Sequence, residues 1–199
     1  MKKKNTELIK FDKLNINKSE INYNNNDANE RKKYIGEVLN GIPNGKGIMY
    51  WNNGERYEGN WKNDRANGKG IYFWKNGDKY EGYFKNGLSE GKGITYYNDG
   101  ERYEGDFRND NREGKGIYYY KSGNRYEGDW RNGIREGKGI YYYNNDNRYE
   151  GDFKNDKREG KGVYYYHNGD REIGDYYNGK QIGKHVMLTK DGEIIINNY

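Results

Sequence analysis

The chain contains no cysteine, a single proline and only two histidines. Without cysteine, disulfides, thiolate nucleophiles and cysteine-based zinc sites are excluded, and a reducing compartment is permitted. His167 and His185 have no second ligand at a metal-binding spacing, so we treat both as surface residues. No segment has the length and apolar character of a signal peptide or a membrane-spanning helix. We therefore expect an intracellular, non-enzymatic protein with no cofactor and no metal, located in the cytoplasm.

Tyrosine and glycine are abundant where aliphatic residues are few. The 199 residues include 24 tyrosines and 30 glycines, while 34% of the chain is charged and 31% is hydrophobic. This composition is too polar for a conventional thick core. Rings lying over bare glycine backbone would instead suit a sheet, since aromatic residues favour strands and glycine allows close approach.

A period of 23 residues runs along most of the chain without insertion. Such strict spacing predicts a repeat array, in which each unit buries its apolar face only against its neighbours. Residues 1–33 are predicted to be a basic, Asn/Lys-rich disordered arm, and residues 195–199 a carboxyl-terminal tail. The seven predicted units are residues 34–56, 57–79, 80–102, 103–125, 126–148, 149–171 and 172–194.

The positive charge is concentrated outside the repeats. Residues 1–33 hold nine Lys or Arg and five Asp or Glu, which accounts for four of the five net positive charges of the chain. A nucleic-acid-binding domain is expected to carry a basic stripe on its folded part. The nearly neutral array therefore argues against nucleic acid as a partner.

Each unit carries a tight-turn dipeptide, such as Asn76-Gly77, at positions 19 and 20, counting its first residue as position 0. Asn-Gly favours a two-residue type I′ turn, so we expect strands paired as Phe73 with Tyr80 and Tyr72 with Glu81. The polar segment 108–113 is expected to form the longer connection. The predicted fold is all-β: an elongated, single-layer antiparallel meander of consecutive hairpins, about fourteen strands long, twisted and grooved.

The expected register divides the side chains between two faces. The first holds Tyr at position 0, Gly at position 2, an aromatic residue at position 4 and Ile or Val at position 14, and we expect it to pack. The second carries aromatic residues at positions 15 and 17 and is open to a partner peptide. An equally weighted reading is that these rings only pack on one another and on Arg102, Arg125 and Arg148. The candidate partner-binding residues are Tyr72, Trp74, Tyr97, Tyr118, Tyr120, Tyr141, Tyr143, Tyr164 and Tyr166.

Position 12 is lysine in all seven units. Such a ladder, together with the basic arm, could bind anionic phospholipids or phosphoinositides at a membrane surface. Acidic residues at positions 1 and 3 dilute its field, and solvated lysines that discourage sheet aggregation are the favoured reading. The candidate lipid-binding residues are Lys69, Lys92, Lys115, Lys138 and Lys161.

The terminal units depart from the common pattern. Unit seven has Glu172 in place of tyrosine and His185 in place of glycine, and apolar residues follow at 194–196. Atypical end units cap many arrays, whereas apolar ends also promote self-association. Both a cap and an end-to-end homodimer stay open.

The sequence Tyr-Glu-Gly-Asp-Phe/Trp-x-Asn, followed by Gly-Lys-Gly-Ile/Val-Tyr, resembles the MORN (membrane occupation and recognition nexus) repeat. The likeness covers about four fifths of the chain and is strongest over 57–171. It implies a grooved sheet of hairpins that serves as a scaffold for partner proteins at the cytoskeleton or at membranes. Where family members often have histidine before Gly-x-Gly, this chain has Glu113.

Overall fold

The computed structural model describes residues 19–24, 27 and 29–199, which form one open antiparallel sheet of 16 strands. Each strand pairs with its neighbours in sequence, so the predicted single-layer meander is confirmed. The described residues contain no helix, and hence none that could cross a membrane. The strands are β1 (Ser19–Asn22), β2 (Arg31–Leu39), β3 (Ile42–Trp51), β4 (Arg56–Lys62), β5 (Arg65–Phe73), β6 (Lys79–Lys85), β7 (Leu88–Tyr96), β8 (Arg102–Arg108), β9 (Asn111–Tyr119), β10 (Arg125–Arg131), β11 (Ile134–Tyr142), β12 (Arg148–Lys154), β13 (Lys157–Tyr165), β14 (Arg171–Tyr177), β15 (Lys180–Leu188) and β16 (Ile194–Asn198).

The seven units supply β2–β15, and one strand is added at each end. β1 and the first three residues of β2 lie in the segment expected to be a disordered arm, and β1 pairs with β2 through Ile21 opposite Tyr34. β16 begins at the last residue of unit seven and continues into the segment expected to be a tail, and it pairs with β15 through Ile196 opposite Val186. Residues 1–18 of the expected arm lie outside the described residues.

The tight turn and the longer loop have exchanged places relative to the prediction from the sequence. The tight two-residue turns lie at positions 6 and 7: Asn109 and Asp110 join β8 to β9, with φ of 47° and 67°. All seven units repeat this geometry, which is that of a type I′ turn. The Asn76-Gly77 turn is a three-residue loop, because only its glycine has a positive φ and Trp74 N–H donates to the Asp78 carbonyl.

Compared with the expected two-residue turn, this three-residue loop shifts the pairing between adjacent units by one residue. The observed pairs are Phe73 with Lys79 and Tyr72 with Tyr80, so the expected pairs Phe73–Tyr80 and Tyr72–Glu81 are wrong. One consequence is that positions 0, 2, 4, 13, 15 and 17 share one face, here called the ring face. The expectation that position 14 packs with the position 0 tyrosines is also wrong, because Ile71 lies opposite Glu81 on the other side.

The core of the ring face is a tyrosine lying flat over paired glycines. In unit four, a Cβ added to Gly105 or Gly116 would lie 2.4 or 2.3 Å from the Tyr103 hydroxyl oxygen. The two glycines are cross-strand partners, and the Tyr103 hydroxyl donates to the Asp106 carbonyl at 3.0 Å. Rings over bare backbone were expected, and glycine is needed here because no side chain fits beneath the ring.

These tyrosines join each unit to the next. Tyr103 makes edge-to-face contacts with Phe107 in its own unit at 5.1 Å and with Trp130 in the following unit at 5.2 Å. Edge-to-face aromatic pairs are the favoured geometry and stabilise beyond the area that they bury. Six buried tyrosines contact a ring of the following unit in this way, so the thin sheet has a continuous aromatic core: Tyr34, Tyr57, Tyr80, Tyr103, Tyr126 and Tyr149.

Candidate partner-binding surfaces

The nine rings predicted to bind a partner all lie on the ring face, where they form a stripe beside the buried tyrosines. Neighbouring rings are in contact from Tyr97 to Tyr166, as for Tyr118 with Tyr120 at 4.6 Å and Tyr120 with Tyr141 at 5.7 Å. Tyr118 is 9% exposed and Trp74 is 38% exposed. The stripe is therefore partly core and partly surface, and Trp74 is the most exposed of its nine rings.

Several hydroxyls of the stripe already have partners. The Tyr72 hydroxyl donates to Glu55 at 2.6 Å, and that of Tyr141 accepts from Asn124 at 3.0 Å. Burial, followed by the hydrogen bond to Glu55, raises the pKa of the Tyr72 phenol well above its ordinary value. The Tyr72 phenol therefore stays neutral, and both hydrogen bonds join side chains of adjacent units.

The arginines that cap the rings are not those expected. Arg102, Arg125 and Arg148 stack on position 16 rings of the opposite face, as Arg148 does over Tyr165 at 3.8 Å. The ring face is capped from position 9 instead. The three arginines there lie over aromatic rings of their own and the next unit: Arg112, Arg135 and Arg158.

The opposite face carries a groove that the sequence analysis did not find. It encloses about 1560 Å³ and crosses units two to six, with position 14 isoleucines and exposed glycine backbone along its length. We call this side the groove face. The signal that could have revealed it is the register: with position 0 opposite position 15, the rings of positions 0, 4, 15 and 17 share one face, and Ile joins the charged positions on the other. Four isoleucines line the groove: Ile71, Ile94, Ile117 and Ile140.

The five candidate lipid-binding lysines lie on the groove face, and four of them form ion pairs with position 3 aspartates. Lys115 Nζ is 2.6 Å from Asp129 Oδ1, and its side chain is 69% exposed. Lys69, which faces Tyr83 instead of an aspartate, lies 5.5 Å from that ring. The ladder is accessible, but most of its charge is locally compensated. The other three pairs are Lys92–Asp106, Lys138–Asp152 and Lys161–Asp175.

His185 is fully buried, which corrects its assignment as a surface residue, whereas His167 is exposed. The nearest carboxylate to His185 is that of Glu172, with Nδ1 3.7 Å from Oε1. Among the described residues, no group of three or more His, Cys, Asp or Glu side chains is arranged to hold a metal.

A single-layer sheet of consecutive hairpins, with one aromatic face and one grooved face, defines a β-repeat protein. The MORN repeat family model matches six consecutive segments, each one predicted unit long, and the chain belongs to that family. The matched residues are 34–56, 57–79, 80–102, 103–125, 126–148 and 149–171.

Solved structures share the fold at low sequence identity. The SAS-4 (dCPAP) TCP domain of Drosophila melanogaster, in complex with a proline-rich motif of Ana2, is 14% identical over 77% of this chain and 84% of that chain, with a TM-score of 0.51. The TCP10 domain of Danio rerio CPAP is 11% identical over 86% of each chain, with a TM-score of 0.50. No curated protein sequence matches this chain significantly.

Proposed function

We propose that this chain is a non-enzymatic scaffold that binds segments of partner proteins along the groove face, at cytoskeletal or membrane-associated structures. The observation that supports it is the groove itself, about 1560 Å³ across five units. Its floor is apolar, and concave apolar surfaces with charged rims are preferred binding sites. The likeness to a TCP domain in complex with a proline-rich motif adds that a sheet of this fold can bind a peptide.

The groove rims are already charge-paired, which favours a partner held by apolar contacts. On one rim Arg102 stacks over Tyr119 at 4.2 Å and forms an ion pair with Glu104, while lysines pair with aspartates on the other. A partner segment therefore gains mainly by covering the isoleucines and the glycine backbone between the rims. Interface energy of this kind is concentrated in a few well-buried contacts.

The test is selection of peptides from a displayed random library against the full chain. The groove variant is Ile94→Arg with Ile117→Arg, whose new cations lie opposite Glu81 and Glu104 in the sheet and so suit the fold. The matched variant on the other face is Tyr120→Ser with Tyr143→Ser. Selected peptides should lose binding to the groove variant and keep binding to the ring-face variant.

Two results would redirect the proposal. Loss of binding with the ring-face variant alone would place partners on the nine-residue stripe predicted from the sequence. Failure to select any peptide, with both variants folded, would refute peptide binding by this chain. Binding of anionic phospholipids through the lysine ladder stays the alternative prediction, since lysines such as Lys138 and Lys161 have side chains 72% and 87% exposed.

A further inference from the structure

A second cavity, of about 630 Å³, opens on the ring face at unit three. It exists because two residues of this unit are small where other units have large side chains. Thr95 holds position 15, which is tyrosine in units two, four, five and six, and Ser89 holds position 9, which is arginine in units four to six. Aromatic residues on its wall include Tyr72, Trp74 and Tyr97.

The later units show what normally fills this space. In unit five the Arg135 guanidinium lies 5.5 to 5.6 Å from the ring centroids of Tyr126, Tyr141 and Phe153. Its Nε donates to Asp156 Oδ1 at 3.0 Å. We call this arrangement the arginine seat. It consists of the rings at positions 0 and 15, the ring at position 4 of the next unit, and the residue at position 7 of that unit.

A carbonyl oxygen at position 7 of the next unit accepts from the arginine in all three units. Arg112 donates to the Gly133 carbonyl at 2.5 Å, and Arg158 donates to the Gly179 carbonyl at 2.7 Å. Planar guanidinium groups suit such sites because they stack on rings and donate in the ring plane at the same time. Three consecutive units therefore use one arginine-binding geometry.

Unit three retains this seat without its arginine. The equivalent residues Tyr80, Thr95, Phe107 and Asp110 all line the cavity. Asp110 Oδ1 accepts from the Ser89 backbone N–H at 2.6 Å, as Asp156 Oδ1 accepts from that of Arg135 at 2.9 Å. No salt bridge joins Asp110 to any of the described residues.

The charge around the cavity favours a cation. Asp78 lines it as a second carboxylate, at the unit position where Glu55 in unit one accepts from a tyrosine hydroxyl. The one cation on the wall, Arg112, has its guanidinium over Trp130 at 4.5 Å. Two carboxylates and several ring faces therefore line the cavity. Asp78 already accepts two hydrogen bonds from the chain itself, so Asp110 is the carboxylate that a bound cation would meet.

We propose that this cavity is a binding site for an arginine side chain presented by a partner protein, which takes the place of the missing position 9 arginine. The guanidinium stacks on Tyr80 and Phe107 and donates to Asp110. Lysine fits less well, because an ammonium group has no planar face and no fork of donors. The site extends the proposed scaffold to its second face, and it can fail without affecting the groove.

The probe is N-acetyl-arginine methylamide, titrated into the full chain and followed by NMR. We expect saturable shifts of the Ser89 and Thr95 amides and of the Trp74 indole N–H. The citrulline analogue, which is isosteric but neutral, should cause no saturable shift, and the lysine analogue should bind more weakly. Asp110→Asn should weaken arginine binding about tenfold, as expected for one charge-assisted hydrogen bond.

The decisive variant is Ser89→Arg with Thr95→Tyr, which gives unit three the residues of units four to six. We expect it to abolish the saturable shifts and to melt at or above the wild-type temperature. Shifts that persist in this variant, equal binding of citrulline, or no saturable shift with wild type would overturn the proposal. A lowered melting temperature of the filled variant would also overturn it, by showing that the cavity is not equivalent to the arginine seats.

Discussion

The imidazole of His185 lies directly over the backbone of Gly174, and a Cβ on that glycine would be 2.2 Å from the ring. Its Nε2 is 2.9 Å from the Asp175 carbonyl oxygen. In units one to six, the equivalent carbonyl accepts from a position 0 tyrosine, as Asp106 does from Tyr103. Unit seven therefore supplies the ring from position 13 instead of position 0, and Glu172 takes the place that the tyrosine has left.

Unit seven can be given the tyrosine at position 0 and the glycine at position 13 that the other units have. If His185 replaces the tyrosine ring, the effects of these two substitutions on stability should be coupled. Glu172→Tyr puts two rings in one space, while His185→Gly leaves a cavity, so each single change should cost roughly 2–4 kcal/mol of unfolding free energy. The double variant should recover at least about 1 kcal/mol of the summed loss. Urea unfolding of the four proteins measures the coupling. Strictly additive losses would contradict the proposed exchange.

Acid should loosen the carboxyl-terminal end of the sheet. Burial alone would raise the pKa of Glu172, but hydrogen bonds from Asn197, Tyr166 and Tyr199 outweigh it, so its pKa lies below the ordinary value of 4.5. A lowered folded pKa means that its stabilisation is present above 4.5 and is lost as the pH falls through the folded value. Hydrogen exchange should report earlier opening of β16 as the pH falls below 4.5. Glu172→Gln should show a smaller pH dependence there, and an equal one would rule out this carboxyl as the cause.

A glycine under a tyrosine should tolerate no side chain. A Cβ at Gly105 would be 2.4 Å from the Tyr103 hydroxyl oxygen and 2.6 Å from the Gly116 Cα, and the paired backbone of β9 cannot move away without breaking the sheet. Gly105→Ala should therefore lower the unfolding free energy by about 3 kcal/mol. Lys121→Ala, at an exposed turn, should change it by less than about 0.5 kcal/mol. Similar thermal midpoints for the two variants would count against the ring-over-backbone core.

The two turns should respond differently to alanine and glycine. Asn132 has a φ of 49°, so Asn132→Ala should cost about 1 kcal/mol, whereas Asn132→Gly should be nearly neutral. Asn145, at position 19, has no positive φ, so glycine should have no advantage over alanine there. Denaturation midpoints of the four variants make the comparison. A glycine advantage at Asn145 would restore the type I′ turn that the sequence first suggested.

Lipid binding, if the lysine ladder provides it, should be limited by the aspartates beside it. Each basic residue near an anionic surface contributes about 1 kcal/mol, and an adjacent carboxylate cancels much of that attraction. Replacing three aspartates with asparagine should strengthen binding to phosphoinositide vesicles, and reversing three lysines to glutamate should weaken it. Binding that is unaffected by both sets of substitutions, or that persists at high salt, would exclude the lysine ladder as the lipid-binding site. The residues are Asp106, Asp129, Asp152, Lys92, Lys115 and Lys138.

The period, the hairpins and the order of strands followed from the sequence because they depend on spacing alone. The register did not, because Asn-Gly favours more than one turn. In the loop around Asn76, the side-chain oxygen accepts from the Asp78 N–H at 3.0 Å, which supports a three-residue loop over a type I′ turn. One residue of slip exchanges the faces of every side chain on a strand. That slip explains why the nine rings were predicted to be open, and why the groove was not predicted.

The cavity at unit three shows a second limit of prediction from the sequence. Thr95 and Ser89 are visible as departures from the repeat, but their joint effect depends on both lying beside Phe107 of the next unit. Only the observed register brings them to one place. The expectation about the two ends was limited in the same way, since the sequence indicates that unit seven is atypical without showing that His185 replaces a tyrosine ring.

Each strand pairs only with its neighbours in sequence, and every unit is the same length. In genetic terms, an in-frame duplication or deletion of one unit leaves every remaining strand with a partner of the same kind on each side. The length of the binding surface can therefore change in steps of one unit, at little risk to the rest of the sheet. Variation in unit number, more than variation within units, is then the simplest way for such a protein to match partners of different lengths.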